Sequence, residues 1–264
     1  MSERDGFAPG VPCWVATVQS EPESAARFYG ELFGWETTNL MPDDHPGDYF
    51  MCKLRGRPVA AVVSAHGAPP PPSAAWGTHV WVDSAEETAA KVDDAGGSVI
   101  GTPFDSPAGG RQVVLADPAG AVFCAWEPGE HRGAALVNEP SAWAMSTLLA
   151  TEPEMAKAFY GSVFGWIPEQ FGPVTLWRLP GYLGGEAHQP VPRDVVGVMA
   201  PAAGDAMQPH WSVDFWVADA DATAEKAARL GGTVLAPPHD VPGFRNAVLA
   251  DPQGAVFSVS QLVR

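Results

Sequence analysis

Cysteine is scarce in this chain of 264 residues. The three present, Cys13, Cys52 and Cys124, are an odd number without the spacing of a disulfide framework. A reducing cytoplasm is the expected setting. Basic residues are few as well, 15 Lys and Arg against 31 Asp and Glu, for a formal charge of −16. No Lys/Arg cluster offers a basic face, so a nucleic-acid partner is not expected, and anionic membranes are disfavoured. No apolar run reaches about 18 residues, so no transmembrane helix is expected. The opening Met-Ser-Glu-Arg-Asp-Gly lacks the basic-then-apolar order of a signal peptide. Residues 1–10 are expected as a disordered lead-in.

What the sequence does contain is a duplication. Phe28-Tyr29-Gly30-Glu31-Leu32-Phe33-Gly34-Trp35 returns as Phe159-Tyr160-Gly161-Ser162-Val163-Phe164-Gly165-Trp166. Val114-Leu115-Ala116-Asp117-Pro118-Ala119-Gly120-Ala121-Val122-Phe123 returns as Val248-Leu249-Ala250-Asp251-Pro252-Gln253-Gly254-Ala255-Val256-Phe257. Two domains are expected, at 11–127 and 142–264, joined by a linker over 128–141. Each half divides again. An apolar strand (Cys13 to Val18) precedes Ser20-Glu21-Pro22-Glu23, which reads as a capping box. Ala25, Phe28, Tyr29, Leu32 and Phe33 follow at helical spacing, and Gly34 stops the helix. Thr151-Glu152-Pro153-Glu154 and Gly165 repeat the device. After a Pro-rich gap (Ala68 to Ser73) comes strand Thr78 to Val82, helix Ser84 to Ala95, and further strands. The last two are joined by an Asp-Pro-x-Gly turn. The expected class is α+β, with a β-α-β-β-β unit used four times.

That order, with Phe-Tyr-Gly-x-x-Phe-Gly-Trp closing the first helix and Asp-Pro-x-Gly-x-x-Phe in the last hairpin, resembles the vicinal oxygen chelate superfamily. This group includes glyoxalase I, extradiol dioxygenases and bleomycin resistance proteins. The chain is similar above all to its two-domain glyoxalase-like members, often loosely named hydroxylases. The resemblance implies that two units pair edge to edge into a curved mixed sheet, so that four units give two cups. Family enzymes hold a divalent metal there through His, Gln or Glu on the first strand, His on the first strand of the second unit, and Glu on the last strand. Carried over, these positions fall at Ala16, His79 and Cys124 in the first half and at Thr147, Asp214 and Ser258 in the second. Neither set resembles the family's, so no metal and no other cofactor is expected.

Strand alternation then says what else faces each cup. Trp14, Trp81 and Trp126 share faces with the first set, and Met145, Leu149, Ser212, Trp216, Val256 and Ser260 with the second. Ten tryptophans is a high number. Trp14, Trp81, Trp126, Thr147, Trp216 and Ser258 are therefore candidates for holding a flat or apolar ligand. The bland alternative is that the first three plug a cup that binds nothing. His79 with Cys124 is a candidate nucleophile pair, and Asp214 a candidate base in a walled cup. The segments 104–111 and 239–245 are candidate lids or plain turns. The leading expectation is a metal-free small-molecule binder that sequesters or carries an aromatic metabolite, monomeric or homodimeric. The competing one is a metal-independent lyase, isomerase or hydroxylase-like enzyme of secondary metabolism.

Overall fold

The computed structural model describes residues 3–65, 74–184, 192–202 and 207–263. The Pro-rich gap lies outside the described residues. The chain builds two mixed sheets, one from each half. In the first half the elements are β1 (Pro12–Val18), α1 (Pro22–Phe33), β2 (Glu36–Asn39), β3 (Tyr49–Leu54), β4 (Arg57–Val63), β5 (Ala75–Trp81), α2 (Ala85–Asp94), β6 (Ser98–Val99), β7 (Phe104–Ser106), β8 (Gly110–Ala116) and β9 (Val122–Pro128). The second half repeats them as β10 (Trp143–Ala150), α3 (Pro153–Phe164), β11 (Ile167–Phe171), β12 (Val174–Arg178), β13 (Val195–Pro201), β14 (His210–Trp216), α4 (Ala220–Arg229), β15 (Thr233–Val241), β16 (Phe244–Ala250) and β17 (Val256–Leu262). The α+β class and the four β-α-β-β-β units are as expected. Among the described residues no helix is long and apolar enough to cross a membrane.

The units pair edge to edge through antiparallel β1–β5 and β10–β14. The first sheet runs β2-β3-β4-β1-β5-β9-β8-β6 with β7 against β8, and the second runs β11-β12-β13-β10-β14-β17-β16-β15. Gly34 and Gly165 end α1 and α3 in the left-handed conformation, at φ 74° and 71°, a conformation that glycine reaches without a Cβ clash. The capping boxes do not form. Pro22 and Pro153 open their helices, and neither N-cap residue, Glu21 or Glu152, makes a side-chain cap bond. Instead Gln253 reaches across from the other half. It accepts from Ser20 Oγ and Glu21 N, and donates to the Glu21 carbonyl.

Between the sheets lies a helix-lined seam that explains both repeated motifs. α1 packs on β3 and β4 of its own sheet and also meets the other half, with Phe33 5.0 Å from Phe215 and Tyr29 5.6 Å from Phe257. Tyr29 donates to Asp251 of the second Asp-Pro-x-Gly turn at 2.8 Å and accepts from Trp76 Nε1 at 2.9 Å. The mirror-image arrangement joins Tyr160 to Asp117 at 3.1 Å and Trp211 to Tyr160 at 2.9 Å. Each aspartate also folds its own turn, accepting from two backbone amides through Oδ1. Trp35 and Trp166, beside the helix stops, donate across the same seam to the carbonyls of Ser141 and Gly10. These buried tyrosine, tryptophan and aspartate groups are thus satisfied across the duplication, which fixes the relative placement of the halves.

Candidate functional site

Two cups lie on the faces of the sheets turned away from the seam, and alternation along the strands assigns their linings. On β14, Trp211, Val213 and Phe215 are buried in the seam, while Ser212, Asp214 and Trp216 are half-exposed on the cup face. On β10 the cup side carries Met145, Thr147 and Leu149. The pairing bears out the strand register, because Met145 and Ser258 both face Asp214 across the sheet. In the first half Trp14 and Cys124 both face His79.

The first cup is closed. Trp14, His79, Trp81 and Trp126 are all buried, Trp14 completely. The segment following β9 folds back over them and inserts His131, whose ring lies 4.3 Å from Trp14 and 5.4 Å from Trp126. Trp126 Nε1 donates to the His131 carbonyl. From Glu3 onward, the expected loose lead-in is tied down. Glu3 bridges Leu136, Arg4 N donates to Ala135, and Phe7 packs 6.2 Å from Trp81. Arg132 covers Trp81 at 5.4 Å and donates to the Asp5 carbonyl. Fit is tight enough that a Cβ at Gly110 would collide with the Trp126 ring. The apolar lining of the first cup needed covering from water, and the lead-in and linker supply the cover.

Burial shifts the titrating groups of the first cup. Burial pushes the Cys124 thiol up to about 12 and the His79 imidazole down to about 4. His131 is likewise lowered to about 4 by burial. Both shifts run against a thiolate–imidazolium pair. His79 Nε2 instead bonds Gln112 Oε1 at 3.1 Å. Trp14, Trp81 and Trp126 pack against side chains of the lead-in and linker on this face.

The second cup is open, and position-by-position comparison with the first says why. Met145 stands for Trp14, Thr147 for Ala16, Asp214 for His79, Ser258 for Cys124 and Ser260 for Trp126. Two indoles are replaced by a thioether and a hydroxyl. Asp214 is half-buried there, and its Oδ1 accepts from Ser260 Oγ at 2.8 Å. Ser260 Oγ in turn accepts from Asn246 Nδ2 at 2.9 Å, which commits the serine proton to the carboxyl group. The other oxygen, Oδ2, has no hydrogen-bond partner among the described residues and is not sealed from solvent. Desolvation raises the Asp214 carboxyl to about 7, opposed by the Ser260 bond. Trp216 and Phe244, 6.1 Å apart, form an aromatic wall on the same face. Met145 also lines a narrow crevice with Arg4, Phe7, Asn138, Trp143 and Tyr182.

Asn246 escaped sequence reasoning as a site residue, although the repeat carried a signal. It is the copy of Gln112, so both halves place an amide beside the residue at the second ligand position. Phe244 escaped for a different reason. The segments 104–111 and 239–245 are ordered hairpins, β7–β8 and β15–β16, rather than lids. Arg111 pins its hairpin through Glu86 of α2 and Asp105, and Arg245 does so through Asp221 of α4 and Asp240.

Neither donor set fits a divalent metal. Ala16 has no lone pair, one His with one Cys is a poor set for a stable divalent site, and Thr147 and Ser258 offer only neutral hydroxyls around one carboxylate. The neighbours on the first-strand face, Trp14 and Met145, add no imidazole or carboxylate. Among the described residues no three His, Cys, Asp or Glu side chains gather as a potential metal site.

The glyoxalase-like domain family matches this chain twice, over residues 14–126 and 133–260. A Mycobacterium tuberculosis protein provisionally named glyoxylase CFP32 is 38% identical over 271 residues, covering 98% of this chain and 97% of its own. The anthracycline biosynthesis protein DnrV of Streptomyces peucetius is 34% identical over 272 residues, covering 97% and 94%. Among solved structures, the Mn(II)-bound glyoxalase from Novosphingobium aromaticivorans superposes with a TM-score of 0.63 at 18% identity, covering 96% of this chain and 82% of that one. The 2,3-dioxygenase LapB from Pseudomonas sp. KL28 does so at 0.60 and 14%, covering 97% and 93%. At these identities the superpositions speak for the fold alone. The two matched domains, the two full-length relatives and the paired β-α-β-β-β sheets agree: the chain belongs to the glyoxalase-like family of the vicinal oxygen chelate superfamily.

Proposed function

We propose that this protein binds a small aromatic or apolar metabolite in its second cup, without a metal, and serves to sequester or carry it. The observation that carries the reading is Asp214. Its Oδ2 has no hydrogen-bond partner among the described residues and lies on the sheet face that carries Trp216 and Phe244, while the matching face in the first half is buried. Aromatic walls with few polar groups suit a flat ligand. Thr147, Ser212 and Ser258 stand beside Asp214 as hydrogen-bonding groups for ligand oxygens. Trp14, Trp81 and Trp126 touch no ligand in this reading and hold the first cup shut. The relatives named for anthracycline biosynthesis support a place in secondary metabolism. Titration with an anthraquinone, followed by tryptophan fluorescence, tests the reading. Saturable quenching is expected, and it should be strongly reduced in Trp216→Leu. Quenching that survives that change, or none at all, defeats it.

A second reading is favoured by the same carboxyl group. A base raised to about 7 is matched to proton transfer near neutral pH, as a metal-independent lyase, isomerase or hydroxylase-like enzyme requires. His79 and Cys124 do not serve in it. Turnover of a bound ligand that is lost in Asp214→Asn, with binding retained, would replace the carrier reading by this one.

A further inference from the structure

We propose that the second cup selects its ligand by a protonated amine, which pairs with Asp214 Oδ2 while the attached aromatic ring lies against Trp216. The inference rests on the second cup being the binding site and adds the charge of what it takes. Asp214 is a half-buried carboxyl group with no ion-pair partner among the described residues. Around it, β10 presents Met145 and Thr147, β14 presents Ser212 and Trp216, β17 presents Ser258 and Ser260, and β16 presents Phe244, Asn246 and Val248. None of these carries charge. His210 shares the face of β14 but sits at its far end and bonds the Gln208 carbonyl. Arg245 of β16 alternates to the opposite side and is spent on Asp221 and Asp240.

The hydrogen bonds sharpen the point. Asn246 donates to Ser260 and Ser260 donates to Oδ1, so the network ends on an acceptor. The uncommitted Oδ2 is therefore best met by a donor, and a charged donor returns the counter-charge that folding removed. The aromatic wall adds a face for the cation itself. The acidic balance of the chain draws cations and repels anions at long range. A carboxylate or phosphate ligand would face that negative charge, since the basic groups on the same face are placed elsewhere: Arg178 of β12 is committed to Glu169 and Asp194, and the exposed His239 of β15, opposite Asn246, bonds the Pro237 carbonyl.

Three isosteric probes separate the terms: 1-naphthylmethylamine, 1-naphthylmethanol and 1-naphthoate, titrated by NMR into the full chain at neutral pH. The amine is expected to bind about tenfold or more tighter than the alcohol, the range of a charge-assisted bond, and the naphthoate more weakly than either. In Asp214→Asn the amine should lose that advantage and fall to within about twofold of the alcohol. Asp83→Asn, which removes an exposed charge in the other half, should keep the amine preference. If alcohol and amine bind alike and Trp216→Leu abolishes both, the cup is the site but the amine inference is overturned. A preference that persists in Asp214→Asn overturns it also. If no naphthyl probe binds, the cup reading and this inference fall together.

Discussion

The two cups descend from one pattern, yet one is a core and the other a surface. In the first, Trp14 and Trp126 close on His131, and the lead-in and linker lie over the mouth. In the second, Met145 and Ser260 hold the same two positions, and Asp214 keeps one oxygen open. Two side chains per cup thus decide whether the concave face of this fold is stabilising volume or binding volume. Duplication permits the split, since one half can give up its site and become a scaffold for the other.

The largest test of that contrast is truncation of the plug. Trp126→Ala removes a completely buried indole whose Nε1 is bonded, and should cost about 3–5 kcal/mol in chemical denaturation. Trp216→Ala in the second cup should cost less, about 1–2 kcal/mol, because its ring is only partly buried. Equal costs would mean that the cups differ less than their packing implies.

Acid should weaken the closed cup. His79 and His131 are lowered in the folded chain from the usual 6.5 to about 4, so the unfolded chain binds more protons between these values. Stability from these two groups is complete above about pH 6.5 and is lost as pH falls toward 4. About 2–3 kcal/mol should disappear between pH 7 and 5. Urea titrations of wild type and His131→Gln would check it, with a flatter pH profile expected in the variant.

Asp214 works in the opposite sense. Its carboxyl is raised from 3.8 to about 7, so the folded chain binds the extra proton. The penalty is absent at low pH and grows as pH rises from 3.8 through 7. Asp214→Asn keeps an acceptor for Ser260 and removes the charge. It should stabilise the protein by about 1–2 kcal/mol at pH 8, less than the full linkage because Oδ2 reaches solvent, and by almost nothing near pH 4. A destabilised variant at pH 8 would mean that the charge is answered in the folded chain. A site that stabilises when disarmed is the signature of a group kept for function.

The contrast also marks what could be read in advance. Helix stops, Asp-Pro-x-Gly turns and the strand alternation are local, and the residue positions for both cups followed from them. The register was legible because the duplication supplied two copies of each strand. The plug was not. Its decisive residue, His131, lies in a linker that has no copy, and the linker's Pro and Gly content says only that it is irregular. Equally hidden was the seam: nothing in Phe-Tyr-Gly or Asp-Pro-x-Gly announces that the tyrosine of one half bonds the aspartate of the other. Such contacts depend on how four helices are shared between two sheets, a global property that local patterns do not carry.

That seam holds the smallest asymmetry worth measuring. On one side Asp251 Oδ2 accepts from both Tyr29 and Gln19, the latter at 2.7 Å. On the other, Asp117 Oδ2 accepts from Tyr160, and Ala150 occupies the position corresponding to Gln19. Tyr29→Phe therefore strands Trp76 Nε1 but leaves Asp251 with a donor. Tyr160→Phe strands Trp211 Nε1 and the Asp117 oxygen together, in a site where burial already pushes the carboxyl up. The second change should cost about 1 kcal/mol more than the first in denaturant titrations, because an unmet buried acceptor is dearer than a lost bond. Equal costs would mean that the Gln19 bond adds nothing, and that the two halves of the seam are as symmetric in energy as they are in sequence.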